Sequence, residues 1–242
     1  MKRRVLGQHY LKDRSVIDRI LSIADVKKDE VVLEIGTGRG ELTAELSNRC
    51  LRLEGFEIDV ENFEATKNAC TKPNVRLHVA DGFNYRGRFD VLVSSLPYSR
   101  SSDFVEWISR ARYRRAFVVL QEDFAKKIVA PPGTRDYRAI SVIAQISAKV
   151  KLWDRVPRSA FSPPPKVSSM LVELEPIQRL DRATISMIKR VFSLRRRTLG
   201  SVLRMHGLAW KDDARRVYML PPEEVFVLVK ELKKRDADSK LR

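Results

Sequence analysis

Three of the chain's ten glycines fall within five positions, Gly36-Thr37-Gly38-Arg39-Gly40, at the end of the apolar run VVLEIG over 31–36. A strand that ends in glycines and turns into a helix lets the backbone bend sharply and come close to a ligand. A dinucleotide fingerprint would place a further glycine at position 41, where Glu41 stands. A carboxylate at that helix start disfavours a pyrophosphate and suits a nucleoside ligand carrying positive charge. No Gly-x-x-x-x-Gly-Lys-Ser/Thr loop occurs, so the chain is not read as an NTPase. Glu57, about 20 residues beyond the glycines, is placed to take ribose hydroxyls as the acidic residue of a dinucleotide site does. Asp81, after the next apolar run, can accept from an exocyclic amine. A glycine turn with acidic residues at successive strand ends points to S-adenosyl-L-methionine as the cofactor.

The second chemical signal is Ser95-Leu96-Pro97-Tyr98, which follows the run FDVLVS over 89–94. In an open α/β sheet that position is the carboxyl edge, where ligands bind. The amino group of adenine is a poor nucleophile because its lone pair is conjugated into the ring. Methylating it calls for acceptors that hold both amino hydrogens and favour a pyramidal nitrogen. The Ser95 hydroxyl supplies one acceptor, and the Leu96 carbonyl, held by Pro97, supplies the other. Tyr98 offers a ring for base stacking, worth on the order of 1–3 kcal/mol. No strong base is needed, since the proton can leave after methyl transfer. Preplaced acceptors and in-line alignment would supply most of the acceleration.

The elements that must carry these residues are legible as alternation. Runs at 31–36, 52–57, 75–79, 89–94 and 116–121 read as strands. Between them Val16, Ile17, Ile20 and Leu21 share a helical face, Leu42 and Leu46 lie on the helix 41–48, and Ser102 is expected to cap a helix bearing Phe104, Val105 and Ile108. Strands alternating with helices imply right-handed β-α-β units and a mainly parallel sheet. Residues 148–156 and 167–174 then read as strands with no helix between, so the sheet is expected to finish in an antiparallel pair. Ser162-Pro163-Pro164-Pro165 between them is a stiff loop. After Pro176 the pattern is helical, with Ile185, Ile188, Phe192 and Leu199 near one face and Val225, Val227 and Leu228 on a further helix. The expected division is a methyltransferase domain over 1–175 and a basic helical domain over 176–242.

Composition narrows the partners. With 242 residues, 47 Lys+Arg, 31 Asp+Glu and a formal net charge of +16, the chain is expected to meet a polyanion. Residues 176–242 hold 17 basic and 8 acidic side chains, against 30 and 23 in residues 1–175, so the last quarter carries over half the excess. Arg195-Arg196-Arg197, read as helical, would fan over about 200° of helix surface at ~100° per residue. Arg110, Arg112, Arg114 and Arg115 form a second cluster. No run approaches the roughly 20 apolar residues of a membrane span. Met1-Lys2-Arg3-Arg4 lacks the apolar stretch a signal peptide needs. Two cysteines, Cys50 and Cys70, exclude a disulfide scaffold and fit the cytoplasm, and the scattered His9, His78 and His206 give no metal site.

Beyond these readings, the motifs resemble, in order, those of the KsgA-type family of small-subunit rRNA adenine N6,N6-dimethyltransferases, and the short length resembles its archaeal members. Gly7-Gln8-His9-Tyr10-Leu11 is similar to the family's Gly-Gln-Asn-Phe-Leu stretch, residues 33–41 and 54–59 to its cofactor motifs, and Ser95-Leu96-Pro97-Tyr98 to its Asn-Leu-Pro-Tyr. Leu120-Gln121-Glu122-Asp123-Phe124-Ala125 and Pro132-Gly133…Tyr137 resemble the segment after its fifth strand. Phe161-Ser162-Pro163-Pro164-Pro165-Lys166-Val167 resembles its Phe-x-Pro-x-Pro-Lys-Val loop, and Arg195-Arg196-Arg197-Thr198-Leu199 its Arg-Arg-Lys-Thr-Leu helix. His9 and Ser95 each replace a family Asn.

The resemblance implies a seven-stranded Rossmann-like class I S-adenosylmethionine-dependent methyltransferase fold with a small C-terminal helical domain. It implies that His9, Leu11, Gly36, Gly38, Glu57, Asp81 and Ser95 line the cofactor site. Ser95 to Tyr98, with Phe161, would hold the target adenine, and Arg195, Arg196 and Arg197 would meet rRNA phosphates. The implied reaction is methylation of two adjacent adenosines near the 3′ end of small-subunit rRNA, in a maturing 30S-type particle, by a monomer. Two alternatives stand beside it. One is a large-subunit rRNA adenine N6-methyltransferase, against which the Pro-rich loop and the basic segment argue. The other is a non-catalytic RNA-binding assembly factor, which Ser95 in place of Asn keeps open.

Overall fold

A computed structural model describes residues 9–205 and 213–238. Its strands are β1 (Tyr10–Leu11), β2 (Val31–Ile35), β3 (Arg52–Glu57), β4 (Val75–Val79), β5 (Val91–Ser95), β6 (Arg115–Gln121), β7 (Ala148–Val156), β8 (Phe161–Ser162) and β9 (Ser169–Pro176). The helices are α1 (Arg14–Ala24), α2 (Glu41–Ser47), α3 (Val60–Ala69), α4 (Ser101–Ile108), α5 (Glu122–Ile128), α6 (Ala139–Ser147), α7 (Arg182–Ser193), α8 (Leu199–Met205) and α9 (Pro222–Asp238). Gly7, Gln8 and His206 lie outside the described residues.

Seven strands form one sheet in the order β4-β3-β2-β5-β6-β9-β7. The five from β4 to β6 are mutually parallel, and β9 inserts antiparallel between β6 and β7. The expected antiparallel finish is therefore present, and the class I methyltransferase topology with it. Chain order reverses direction between β2 and β5. That is the switch point at which open α/β sheets bind ligands beyond their strand ends.

Strict alternation along the strands divides the core. Val32, Val91, Val93, Phe117 and Val119 face α1 and α2, where Ile17, Ile20, Leu21, Leu42 and Leu46 cover them. Leu33, Ile35, Leu92, Val118 and Leu120 face the other way, onto Phe104, Ile108, Val142 and Ile143 of α4 and α6. The C-terminal helices share that second core through Ile185, Ile188, Phe192, Val225, Val229 and Leu232.

Four local expectations change. Ser102 is not the cap of α4: a 3-10 turn over Tyr98–Arg100 runs straight into the helix, so Arg100 stands at its N-terminal boundary. Leu199 belongs to α8 rather than to the helix of Ile185, because the chain turns over residues 194–197. Val227 is 57% exposed, since the buried stripe of α9 follows Val225, Val229 and Leu232. Arg195, Arg196 and Arg197 lie in the α7–α8 turn and not on a helix.

Candidate functional site

All three glycines of the β2–α2 loop adopt left-handed backbone angles, with φ of +78° at Gly36, +59° at Gly38 and +90° at Gly40. Two of them are also fixed by neighbours. A Cβ on Gly38 would stand 3.2 Å from the Tyr10 ring, and one on Gly40 would meet Thr66 Cα and Ala69 Cβ at 3.0 Å. The loop is thus pressed between β1 and α3, and Thr66 ties it from below by donating through Oγ1 to the Gly38 carbonyl at 2.8 Å.

Glu57 ends β3 beside this loop and is almost buried. Its Oε2 accepts from the Gly38 amide at 2.9 Å, and its Oε1 accepts from the amides of Ile58 and Asp59 at 2.8 and 3.0 Å. Three backbone donors hold the carboxylate in one orientation at the cleft wall. Asp81 follows β4. Its Oδ1 accepts from the Phe83 amide at 2.9 Å and its Oδ2 from Arg100 Nη2 at 3.0 Å.

The tip of β5 faces these groups. Ser94 Oγ donates to the Ile35 carbonyl at 2.5 Å, locking the end of β5 to the end of β2. The nearest atoms to a Cβ on Gly36 would be Pro97 Cδ and the Ser95 carbonyl. One cleft is accordingly lined by both loops, including His9, Leu11, Gly36, Gly38, Glu57, Asp81, Ser95, Leu96 and Pro97.

Tyr98 is not among the lining residues, although Pro97 and Ser99 on either side of it are. Its hydroxyl is 2.5 Å from Ser169 Oγ, and its half-buried ring lies 5.6 Å from the His9 ring. Burial raises its phenol pKa, an effect the Ser169 bond opposes. The ring is neutral and fixed, as a stacking platform must be. His9 is placed in turn by a 2.8 Å contact between its Nδ1 and the Pro163 carbonyl.

Phe161 departs from expectation. It is 2% exposed, because β8 pairs with β1 and turns the ring against Leu11 in the core. In this conformation it packs behind Leu11, which lines the cleft, and is not itself among the lining residues. Arg195, Arg196 and Arg197 are also absent from the cleft lining. The carbonyls of Arg195 and Arg197 accept from the amides of Tyr218 and Val217, each at 3.1 Å, which anchors the turn's backbone; Arg196 and Arg197 are exposed and Arg195 half-buried. Arg115 is committed elsewhere. It forms a two-pronged pair with buried Glu30 at 2.6 and 2.8 Å and also donates to the carbonyls of Ala24 and Asp25.

The cleft contains groups that sequence spacing did not select. Glu34 on β2 is buried, accepts from Thr43 Oγ1 at 2.7 Å, and lines the cleft. Burial pushes its carboxyl up to about 8, the Thr43 bond works against that, and Glu57 and Glu41 add to it. Arg100 lines the mouth, with its guanidinium 4.6 Å from the centre of the Phe83 ring. Asn62 on α3 lines the wall and is 7% exposed, and its Nδ2 has no hydrogen-bond partner. Glu34 sits inside the strand pattern, and Asn62 and Arg100 carry no motif, so only the folded arrangement exposes them.

These features fit a nucleoside bearing positive charge. Glu41, Glu57 and Asp81 line the cleft, while Arg39 is stacked on Tyr10 at 4.7 Å and Arg100 is engaged by Asp81 and Asp103. An orphaned buried donor in the wall is a group that a ligand would satisfy.

Comparisons with known proteins agree with this geometry. A relative from Pyrococcus abyssi (strain GE5 / Orsay), named probable ribosomal RNA small subunit methyltransferase A, is 35% identical over 236 residues, covering 91% of this chain and 88% of its own. The solved dimethyladenosine transferase of Plasmodium falciparum has the same fold, with a TM-score of 0.80 at 24% identity over 94% of this chain and 98% of that one. The 23S rRNA methyltransferase ErmE follows at a TM-score of 0.65 and 26% identity, covering 93% and 99%. The family model described as ribosomal RNA adenine dimethylase matches residues 1–234, and the chain belongs to that family.

Proposed function

We propose that the protein transfers methyl groups from S-adenosyl-L-methionine to the N6 amino groups of two adjacent adenosines near the 3′ end of small-subunit rRNA. The observation that carries this reading is the meeting of two loops in one cleft: the glycine turn after β2 and the Ser95–Pro97 tip after β5, on either side of the switch point. The name of the 35% identical relative favours the small subunit over the large one.

The cofactor supplies an electrophilic methyl group on a sulfonium. Glu57, held by three amides, accepts from its ribose, and Asp81 accepts from its adenine. Glu41 offsets its positive charge. On the acceptor side, Ser95 Oγ and the Leu96 carbonyl accept from the target amino group, and Tyr98 stacks on the target ring. A target base must first leave its stack, which costs a few kcal/mol, less in a loop. The exposed arginines after α7 and the basic helical segment beyond Pro176 offset that cost by neutralising phosphates. The place of action is a maturing small ribosomal particle in the cytoplasm, and the enzyme acts as a monomer. No helix among the described residues is long and apolar enough to cross a membrane.

The test uses the full chain, S-adenosyl-L-methionine carrying a labelled methyl group, and small ribosomal particles lacking the modification. Mass spectrometry of the rRNA should show dimethyladenosine at two neighbouring positions. Label appearing only in large-subunit rRNA would overturn the assignment, and label in neither, despite cofactor binding, would favour an assembly role.

A further inference from the structure

We infer that Asn62 is a cofactor-binding residue whose side-chain amide donates a hydrogen bond to a ribose hydroxyl, alongside the acceptor Glu57. The inference rests on the proposed cofactor reading and adds a residue to it.

Asn62 lies in the first turn of α3, whose N-terminus is capped by Asp59 Oδ1 accepting from the Asn62 backbone amide at 3.1 Å. Thr66 is four residues later on the same helical face, and its hydroxyl reaches the Gly38 carbonyl at 2.8 Å and Thr37 Oγ1 at 3.1 Å. Asn62 therefore faces the glycine turn one helical turn nearer to Glu57. It lines the cleft, it is more than nine-tenths buried, and its Nδ2 is without a partner. A buried amide donor left unpaired destabilises a fold, and a leucine at the same place would not carry that cost.

The chemistry of the wall decides what the donor meets. Glu57 presents only acceptor capacity, so each ribose hydroxyl that donates to it keeps lone pairs that still need a donor. The Asn62 amide supplies one on the same stretch of wall. Ribose recognition then uses an acceptor and a donor together, which is a more selective arrangement than a carboxylate alone.

Two variants test this, Asn62→Leu and Asn62→Asp. The thermal midpoint of each ligand-free protein is measured first. Binding of S-adenosylhomocysteine, and of its 2′-deoxy and 3′-deoxy analogues, is then measured by titration calorimetry. Asn62→Leu should match or exceed the wild-type midpoint by about 2–4 °C while binding S-adenosylhomocysteine about 3- to 10-fold more weakly. With one of the two deoxy analogues that loss should vanish, since the hydroxyl it reports on is gone. Asn62→Asp should bind at least 10-fold more weakly, because an acceptor then faces an acceptor. Unchanged affinity in Asn62→Leu, or a loss that persists in full with both deoxy analogues, would overturn the role of Asn62 and leave the cofactor reading intact. A wild-type protein that binds none of the three compounds would bring down the cofactor reading and this inference with it.

Discussion

Arg100 Nη2 donates to Asp81 Oδ2 at 3.0 Å, and so joins the segment that follows the β5 tip, proposed to hold the target base, to the carboxylate proposed for the cofactor's adenine. Arg100 directly follows the Ser95–Tyr98 tip and Ser99, while Asp81 follows β4, at the edge of the sheet beyond β2 and β3. The same guanidinium donates through Nε to Asp103 at 2.8 Å and stacks on Phe83. The segment after β5 and the segment after β4 are thereby coupled through one side chain.

The coupling predicts different kinetic signatures for its two partners. Asp81→Ala removes the acceptor proposed for the cofactor's adenine and should raise KM for S-adenosyl-L-methionine by about 10- to 100-fold. Arg100→Met leaves that acceptor in place but frees the tip, so kcat should fall more than the cofactor KM rises. Initial rates at varied cofactor concentration check both. Equal effects of the two variants on KM and kcat would contradict the linkage.

Ser95 ends β5 at the cleft, where the family resemblance expects an Asn. In the proposed reaction its hydroxyl is an acceptor that matters most as the target nitrogen becomes pyramidal. Ser95→Ala should lower kcat by about 10- to 100-fold with little change in cofactor affinity, as expected for an interaction strengthened in the transition state. Single-turnover methyl transfer to small particles, set beside calorimetric cofactor binding, separates the two quantities. Ser95→Ala with unchanged single-turnover transfer would remove Ser95 from catalysis.

The two arginine clusters, alike in sequence, should behave in opposite ways. Arg115 closes the C-terminal end of α1 and neutralises Glu30, whose side chain is 3% exposed. Arg115→Met leaves that carboxylate without its main partner and should cost on the order of 3 kcal/mol of stability. Replacing Arg195, Arg196 and Arg197 by alanine should leave the thermal midpoint nearly unchanged. It should also flatten the dependence of log affinity on log salt by about 2, since each phosphate left without its cation lowers the slope by roughly 0.7–0.9. Denaturant melts and salt-dependent binding to small particles report the two effects independently.

The contrast shows where sequence reading succeeds and where it stops. Period-two runs and a glycine turn reveal the sheet and its ligand edge because strand geometry and left-handed backbone angles restrict which residues can stand there. The tip after β5 is legible for the same reason. Phe161 reads as a base contact, yet its strand β8 pairs with distant β1 and folds the ring inward, and pairing between segments so far apart in the chain leaves no local signal. Arg115 reads as a nucleic-acid contact, yet Glu30, 85 positions away, captures it. Asn62 and Arg100 have ordinary local settings, and only their three-dimensional neighbours give them meaning.

Glu34 sets a pH dependence whose sign is fixed by burial. Its carboxyl rises from 4.5 to about 8 through burial, with Thr43 opposing and Glu57 and Glu41 reinforcing the rise. Below pH 4.5 the group is protonated in both folded and unfolded chains and contributes no slope. Between about 4.5 and 8 the unfolded chain loses its proton while the folded one retains it. The folded state then binds more protons, and stability falls with rising pH, by at most about 1.4 kcal/mol per pH unit. Above about pH 8 both forms are ionised and the slope ends. Glu34→Gln keeps a neutral acceptor for Thr43 and removes the titration. The variant should be more stable than the wild type at about pH 8, nearly equal to it at about pH 5, and flatter between them. Guanidinium melts of the ligand-free chain at intervals of about one pH unit across that range give the comparison. A constant difference between the two proteins throughout would mean that Glu34 does not titrate there.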